Sequence, residues 1–238
     1  MIVMPSNSTG WFWHALSRET GRLGHLYSPG AQRGPWPWFP FALDNGAFSA
    51  WTEKTNFFDE EKWAIIERRW HQLIVWTQVK PQKPLWAIVP DVPGNAERTL
   101  ERWEQYVGQL GDIPPALAVQ DGMTPATVRA LRVQPAVIAV GGTKKWKWET
   151  VSTWAREFPR VHLLRCCSPE RLYELEELGV ESCDGTGWAR GDRKQTRGLE
   201  NFVRIHAKPV DFPLWPHNCR QPRKSERGPL GEQQESFA

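Results

Sequence analysis

Short runs of apolar residues alternate along the chain with stretches whose apolar positions recur every three or four residues, and from about residue 84 to residue 185 this alternation is unbroken. The runs at 85–89, 116–119, 136–140, 161–164 and 181–183 predict strands, as do those at 2–4 and 41–43. Helices are predicted between them. Asp59 can cap one that carries Trp63, Ile66, Trp70, Leu73 and Ile74 on one face, and Asn95 can cap another that carries Leu100, Trp103, Val107 and Leu110. Residues 147–158 place Val151, Trp154, Ala155 and Phe158 at helical spacing. Ser168-Pro169-Glu170 supplies the N-cap, first-turn proline and early acid of a helix bearing Leu172, Leu175 and Leu178.

Parallel strands can be joined only by long crossovers, so this repetition calls for a parallel sheet. Seven predicted strands, with no Gly-x-Gly-x-x-Gly after any of them, favour an α/β fold of the (β/α)8 TIM-barrel type over a doubly wound sheet. An open α/β sheet is the remaining alternative. The barrel is expected to occupy residues 1–215 as one compact catalytic domain. Residues 5–40, rich in Gly, Pro, Trp, Arg and His, read as an irregular N-terminal loop insertion that serves as lid or binding loop. Residues 216–238 are polar and read as a disordered tail.

Composition then removes some classes of function. No apolar run reaches the roughly 20 residues of a bilayer-spanning helix, and the N-terminus lacks the basic flank and apolar stretch of a secretory signal, so a cytoplasmic protein is expected. The four cysteines, Cys166, Cys167, Cys183 and Cys219, contain no C-x-x-C pair and are expected to be reduced packing residues, with no structural zinc and no cofactor. A net charge of +3 is too small to identify a polyanionic partner by itself, but 15 Trp is far above ordinary usage. That excess suits either base stacking or a core that uses Trp where others use Leu.

In parallel α/β barrels the chemistry sits at the carboxyl ends of the strands. The predicted strands end in Asp44-Asn45-Gly46-Ala47-Phe48, in Asp91, in Gln120-Asp121-Gly122, in Gly141-Gly142-Thr143 and in Asp184-Gly185-Thr186-Gly187. Asp and Gly are ordinary turn formers, yet their recurrence on one face points to a site. Converging carboxylates suit chemistry at a sugar's anomeric carbon, where one attacks and another handles a proton. An amide side chain beside exposed glycine backbone suits the polar edge of a purine. Metal binding is the competing use of aspartates. None of His14, His25, His71, His162, His206 or His217 falls at these ends, which weakens it, and His71 and His162 read as a helix-surface and a strand residue.

At these residues the chain resembles the tRNA-guanine transglycosylase superfamily, and within it the shorter DpdA-like branch of phage and bacterial deazapurine DNA modification. The resemblance runs from about residue 41 to residue 193. It is sharpest over Ser168-Pro169-Glu170-Arg171-Leu172, Gly179-Val180-Glu181-Ser182-Cys183-Asp184 and Arg190. It implies Asp184 as nucleophile, Asp44 as general acid and base, and Asp91, Gln120, Gly141, Gly142 and Phe48 as base-binding residues. The implied reaction exchanges guanine in a polynucleotide for a 7-deazaguanine co-substrate through a covalent aspartyl intermediate. The family's tRNA enzymes carry a C-x-C-x-x-C zinc site that is missing here, so DNA is the expected polymer and tRNA the alternative. Gly141-Gly142 is followed by Thr143-Lys144-Lys145-Trp146 without the nearby Glu of the tRNA branch, which favours the neutral nitrile base preQ0 over a cationic one. Lys144, Lys145, Trp146, Arg190, Arg193, Lys194 and Arg197 are the candidate nucleic-acid contacts. A glycoside or nucleoside hydrolase with the same carboxylates, and a non-catalytic nucleic-acid-binding barrel, are the readings from other classes.

Overall fold

The computed structural model describes residues 1–5, 10–30, 36, 38–52, 54–166, 168–189 and 193–208. Strands β1 (Ile2–Pro5), β2 (His25–Tyr27) and β3 (Phe41–Leu43) are followed by a small antiparallel ribbon of β4 (Trp51–Thr52) and β5 (Phe57–Phe58). Then come β6 (Ala87–Ile88), β7 (Pro115–Val119), β8 (Val137–Val140), β9 (Val161–Leu163) and β10 (Ser182–Gly185). Ribbon aside, all eight strands run parallel in one sheet, and their spatial order is their chain order. The sheet nearly closes on itself. β1 pairs with β10 from Ile2 against Ser182 to Pro5 against Gly185, and it meets the start of β2 through Val3 N–H to Arg22 O (2.9 Å) and Gly24 N–H to Val3 O (2.9 Å). This is the expected (β/α)8 barrel.

Among the described residues seven helices flank it: α1 (Trp11–Thr20), α2 (Glu60–Gln78), α3 (Ala96–Tyr106), α4 (Pro125–Arg129), α5 (Lys144–Glu157), α6 (Pro169–Glu177) and α7 (Arg193–Ile205). Asp59 caps α2 by accepting from Lys62 N–H at 2.9 Å, and Asn95 caps α3 by accepting from Arg98 N–H at 3.0 Å, as their spacing predicts. The N-terminal segment differs from the expectation of an irregular insertion. Residues 11–20 form α1 and residues 25–27 form β2, so the segment supplies the second strand of the barrel and the helix before it. His14 Nδ1 accepts from Trp38 Nε1 at 3.1 Å, which ties α1 to the approach to β3. The tail at 216–238, with His217 and Cys219, lies outside the described residues, as does Cys167.

Two apolar layers hold the barrel. Met4, Leu26, Ala42, Trp86, Ile88, Ala116, Ala118, Val137 and Ala139 fill its axis, and the small alanines leave the width that the Trp86 indole needs. The outer layer, between sheet and helices, includes Trp70, Trp103, Trp154 and Trp188, each fully buried. The tryptophan excess therefore serves the core first. Its polar handles are unequally satisfied: Trp103 Nε1 donates to Val133 O at 3.1 Å, whereas Trp70 Nε1 has no partner among the described residues. Trp103→Phe is accordingly expected to cost about 1 kcal/mol more stability than Trp70→Phe. Urea unfolding of the two variants measures the difference, and equal costs would remove the Val133 bond from the account.

Candidate active site

Side chains alternate across a strand, so inward rows can be followed up the barrel into whatever lies above it. On β7, Ala116 and Ala118 point to the axis while Leu117 and Val119 face the helices, which makes Gln120 the next inward residue. The same count leads from Ala139 to Gly141, from Ala42 to Asp44, from Leu26 to Ser28 and from Ser182 to Asp184. These five rows end in one cavity of about 420 Å³ that also takes in Asn45, Phe48, Asp91, Gly142 and Arg165. Thus the structure brings together all seven residues assigned to catalysis and base binding: Asp184, Asp44, Asp91, Gln120, Gly141, Gly142 and Phe48.

The three carboxylates have different surroundings. Asp184 is buried, and its Oδ1 accepts from the Arg165 backbone N–H at 2.8 Å and from His162 Nε2 at 3.3 Å. His162 lies wholly inside the barrel, its Nδ1 2.8 Å from Ser182 Oγ and its ring 4.6 Å from that of Trp86. With the Ser182 hydroxyl donating to Nδ1, the Nε2–H is left to point at the carboxylate. Oδ1 is thereby pinned, and Oδ2 remains for the cavity. Asp44, half-buried at the end of β3, accepts from Ser28 Oγ at 3.0 Å and from the amides of Asn45 and Gly46. Burial, and next the charge of Asp184, nevertheless raise its carboxyl above the ordinary range. The two carboxylates thus differ: one is held by two donors on a single oxygen, and the other binds its proton more tightly than an ordinary carboxyl.

Asp91 is the floor. Its Oδ1 accepts from Asn45 Nδ2 at 2.8 Å and its Oδ2 from Gln120 Nε2 at 2.7 Å. Gln120 Oε1 in turn accepts from Gly94 N–H at 3.1 Å and Asn45 Oδ1 from Ala47 N–H at 2.8 Å, which fixes each amide in one orientation. Burial pushes the Asp91 carboxyl up to about 6, with the Asn45 bond opposing. A carboxyl raised in the folded state binds more protons there than in the unfolded chain, so its stabilising share is full only below the ordinary value of 3.8 and is lost as pH rises through about 6. Asp91→Asn should therefore remove about 2 kcal/mol from the fall in stability between pH 4 and pH 7. Urea titrations of both proteins across that range test it; parallel pH profiles would refute the assignment.

Gly141 and Gly142 form the wall beside Gln120. Gly142 has φ +69°, and a Cβ there would lie 2.2 Å from Asp121 Oδ1, so only glycine fits. Asp121 itself is committed to the start of α5, accepting from Thr143 N–H at 2.6 Å and Thr143 Oγ1 at 2.7 Å.

Not every candidate reaches the cavity. Lys144, Lys145 and Trp146 open α5 instead of forming a loop; Lys145 is exposed and faces Glu149 at 3.8 Å. The Trp146 ring lies 6.3 Å from that of Trp154 and is half-buried, packed against the outer core beside Gly142. Arg193, Lys194 and Arg197 lie on the first turns of α7, after the Asp184 strand, with Arg193, Lys194 and Arg197 exposed. Arg190 lies outside the described residues.

Three site residues escape a reading of strand ends, Ser28, His162 and Arg165, while Asn45 stands in one without an assigned role. Ser28 needs β2, and His162 needs the inward parity of β9. Arg165 had a signal, since it follows the apolar run 161–164 directly. Its φ is +59°, its guanidinium lies 4.4 Å from the centre of the Phe48 ring, and its Nη2 donates to Gly142 O at 2.6 Å. It crosses the mouth of the cavity from one wall to the other.

Among the described residues no group of three or more His, Cys, Asp or Glu side chains is placed to hold a metal ion, and no helix is long and apolar enough to cross a membrane. Compared with protein-family models the chain matches none, and comparison with curated proteins finds no relative.

Proposed function

We propose that this chain is a base-exchanging guanine transglycosylase that acts on DNA. One observation carries the reading: Asp184 and Asp44 share a cavity whose remaining polar wall, Asp91, Gln120 and the Gly141-Gly142 backbone, complements the edge of a guanine. Asp91 supplies an acceptor for the N1 and N2 donors of such a base. The second N–H of Gln120 Nε2 and the Gly142 amide serve its O6, the Gly141 N–H being spent on Val119 O.

In the first step Asp184 Oδ2 attacks C1′ of a deoxyguanosine, the C1′–N9 bond breaks, and the departing guanine takes a proton from Asp44. The raised carboxyl of Asp44 keeps that proton available. In the second step N9 of a 7-deazaguanine attacks C1′ from the face guanine left, its N9 proton passes to Asp44, and Asp184 is released as a carboxylate. Two displacements retain the anomeric configuration. The target nucleotide must leave the stack to reach a cavity this deep, and the exposed Arg193, Lys194 and Arg197 stand beside the nucleophile strand to meet its phosphates. DNA is preferred because the sequence lacks the C-x-C-x-x-C pattern of the tRNA enzymes.

Labelled guanine or preQ0 incubated with the protein and duplex DNA, single-stranded DNA or tRNA tests the proposal. Incorporation into DNA supports it. Incorporation into tRNA alone would move the chemistry to RNA, and release of guanine without incorporation would mark a hydrolase.

A further inference from the structure

Arg165 is the cation among the residues lining the cavity, and its place there has a chemical direction. A guanine-type edge runs from the N2 and N1 donors to the O6 acceptor. The donors belong against Asp91, so O6 belongs on the side of Gln120 and the glycine wall. In the fused ring the 7-position neighbours O6, and a substituent on it continues toward Gly142. There it meets the Arg165 guanidinium, bonded to Gly142 O at 2.6 Å and lying over Phe48. Asp121, the acid nearest in sequence to this wall, is spent on Thr143 and does not line the cavity.

We propose that the Arg165 side chain sets the charge of the incoming base, admitting a neutral hydrogen-bond acceptor at the 7-position and excluding a cation. The inference rests on the transglycosylase reading and adds to it a specificity-determining residue. An ammonium group brought beside the guanidinium away from bulk water is repelled, whereas a nitrile can accept from its free N–H groups. Arg165 orients the nucleophile separately, through its backbone N–H, so changing the side chain leaves the bond to Asp184 Oδ1 in place.

The test is competition between equal amounts of 7-cyano-7-deazaguanine and 7-aminomethyl-7-deazaguanine for incorporation into DNA, read by mass spectrometry of the nucleosides. The wild-type protein is expected to favour the nitrile. Arg165→Gln should lower the nitrile-to-amine ratio by about tenfold or more, and Arg165→Lys, which keeps the charge, should preserve the preference. Calorimetry of the free bases with wild-type protein gives a second measurement that needs no variant, and tighter binding of the nitrile base, by about tenfold or more, is expected. An unchanged ratio in Arg165→Gln, or equal affinities for the two bases, would overturn the proposal. If the protein exchanges guanine but takes neither 7-substituted base, the selectivity falls and the chemistry stands. If it exchanges no base at all, both fall.

Discussion

Asp184→Asn is expected to lower base exchange by about 10⁴-fold or more while leaving the protein folded. The carboxamide has the shape of the carboxylate, and its oxygen can still accept from Arg165 N–H and His162 Nε2 as Oδ1 does now. What is lost is the second oxygen, the atom left for C1′. An amide nitrogen there carries no available electron pair, so no bond to the sugar forms and the substitution removes the first step itself. In the absence of an incoming base, wild-type protein should accumulate a covalent adduct with guanine-containing DNA, visible on a denaturing gel, and the variant should show none. A thermal melt beside it separates loss of chemistry from loss of fold. Normal incorporation by the Asp184→Asn protein would sink the mechanism.

Asp44→Asn is expected to reduce turnover by about 10²- to 10⁴-fold, the range for removing a positioned acid or base. Its signature differs. Asp184 remains able to attack, so some adduct should still form, slowly, because guanine must leave without a proton from Asp44. The pH dependence gives the sharper reading. Adduct formation in the wild type needs Asp44 protonated, and its carboxyl is raised by burial and by Asp184, so the rate should fall as pH climbs through that raised value. The Asp44→Asn protein has no such proton to lose, and its slower rate should be flat over the same range. A wild-type profile equally flat would show that Asp44 is not the acid.

How far the sequence reached follows from the range of each signal. The runs that became β3, β7, β8 and β10 announce themselves locally, by apolar residues ending at Asp, Gln or Gly, so Asp44, Gln120, Gly141 and Asp184 could be named as a group. β2 could not. It is three residues long, includes His25 and Tyr27, and sits among glycines and prolines, and what makes it a strand is pairing with β3 across the sheet. His162 was read correctly as a strand residue, but its partner Asp184 lies on the neighbouring strand, and their meeting depends on the register of Ser182 against His162. The start of α5 is hidden from the sequence for another reason. Thr143 accepts from Trp146 N–H and starts α5 earlier than the apolar stripe suggests, which turns the ring onto the core.

The nearly closed barrel also orders events in time. Asp184 sits on a strand held on one side by β9, close in sequence, and on the other by β1, from the opposite end of the chain. Contacts that span nearly the whole chain carry the largest loop-closure cost and form late. The helices and the middle strands can thus assemble while the strand of Asp184 still has a free edge, with the cavity open along one side. The cavity is in this sense the last feature the folding chain completes, and a partly folded chain exposes Asp184, Asp44 and Asp91 to water before they share one enclosure.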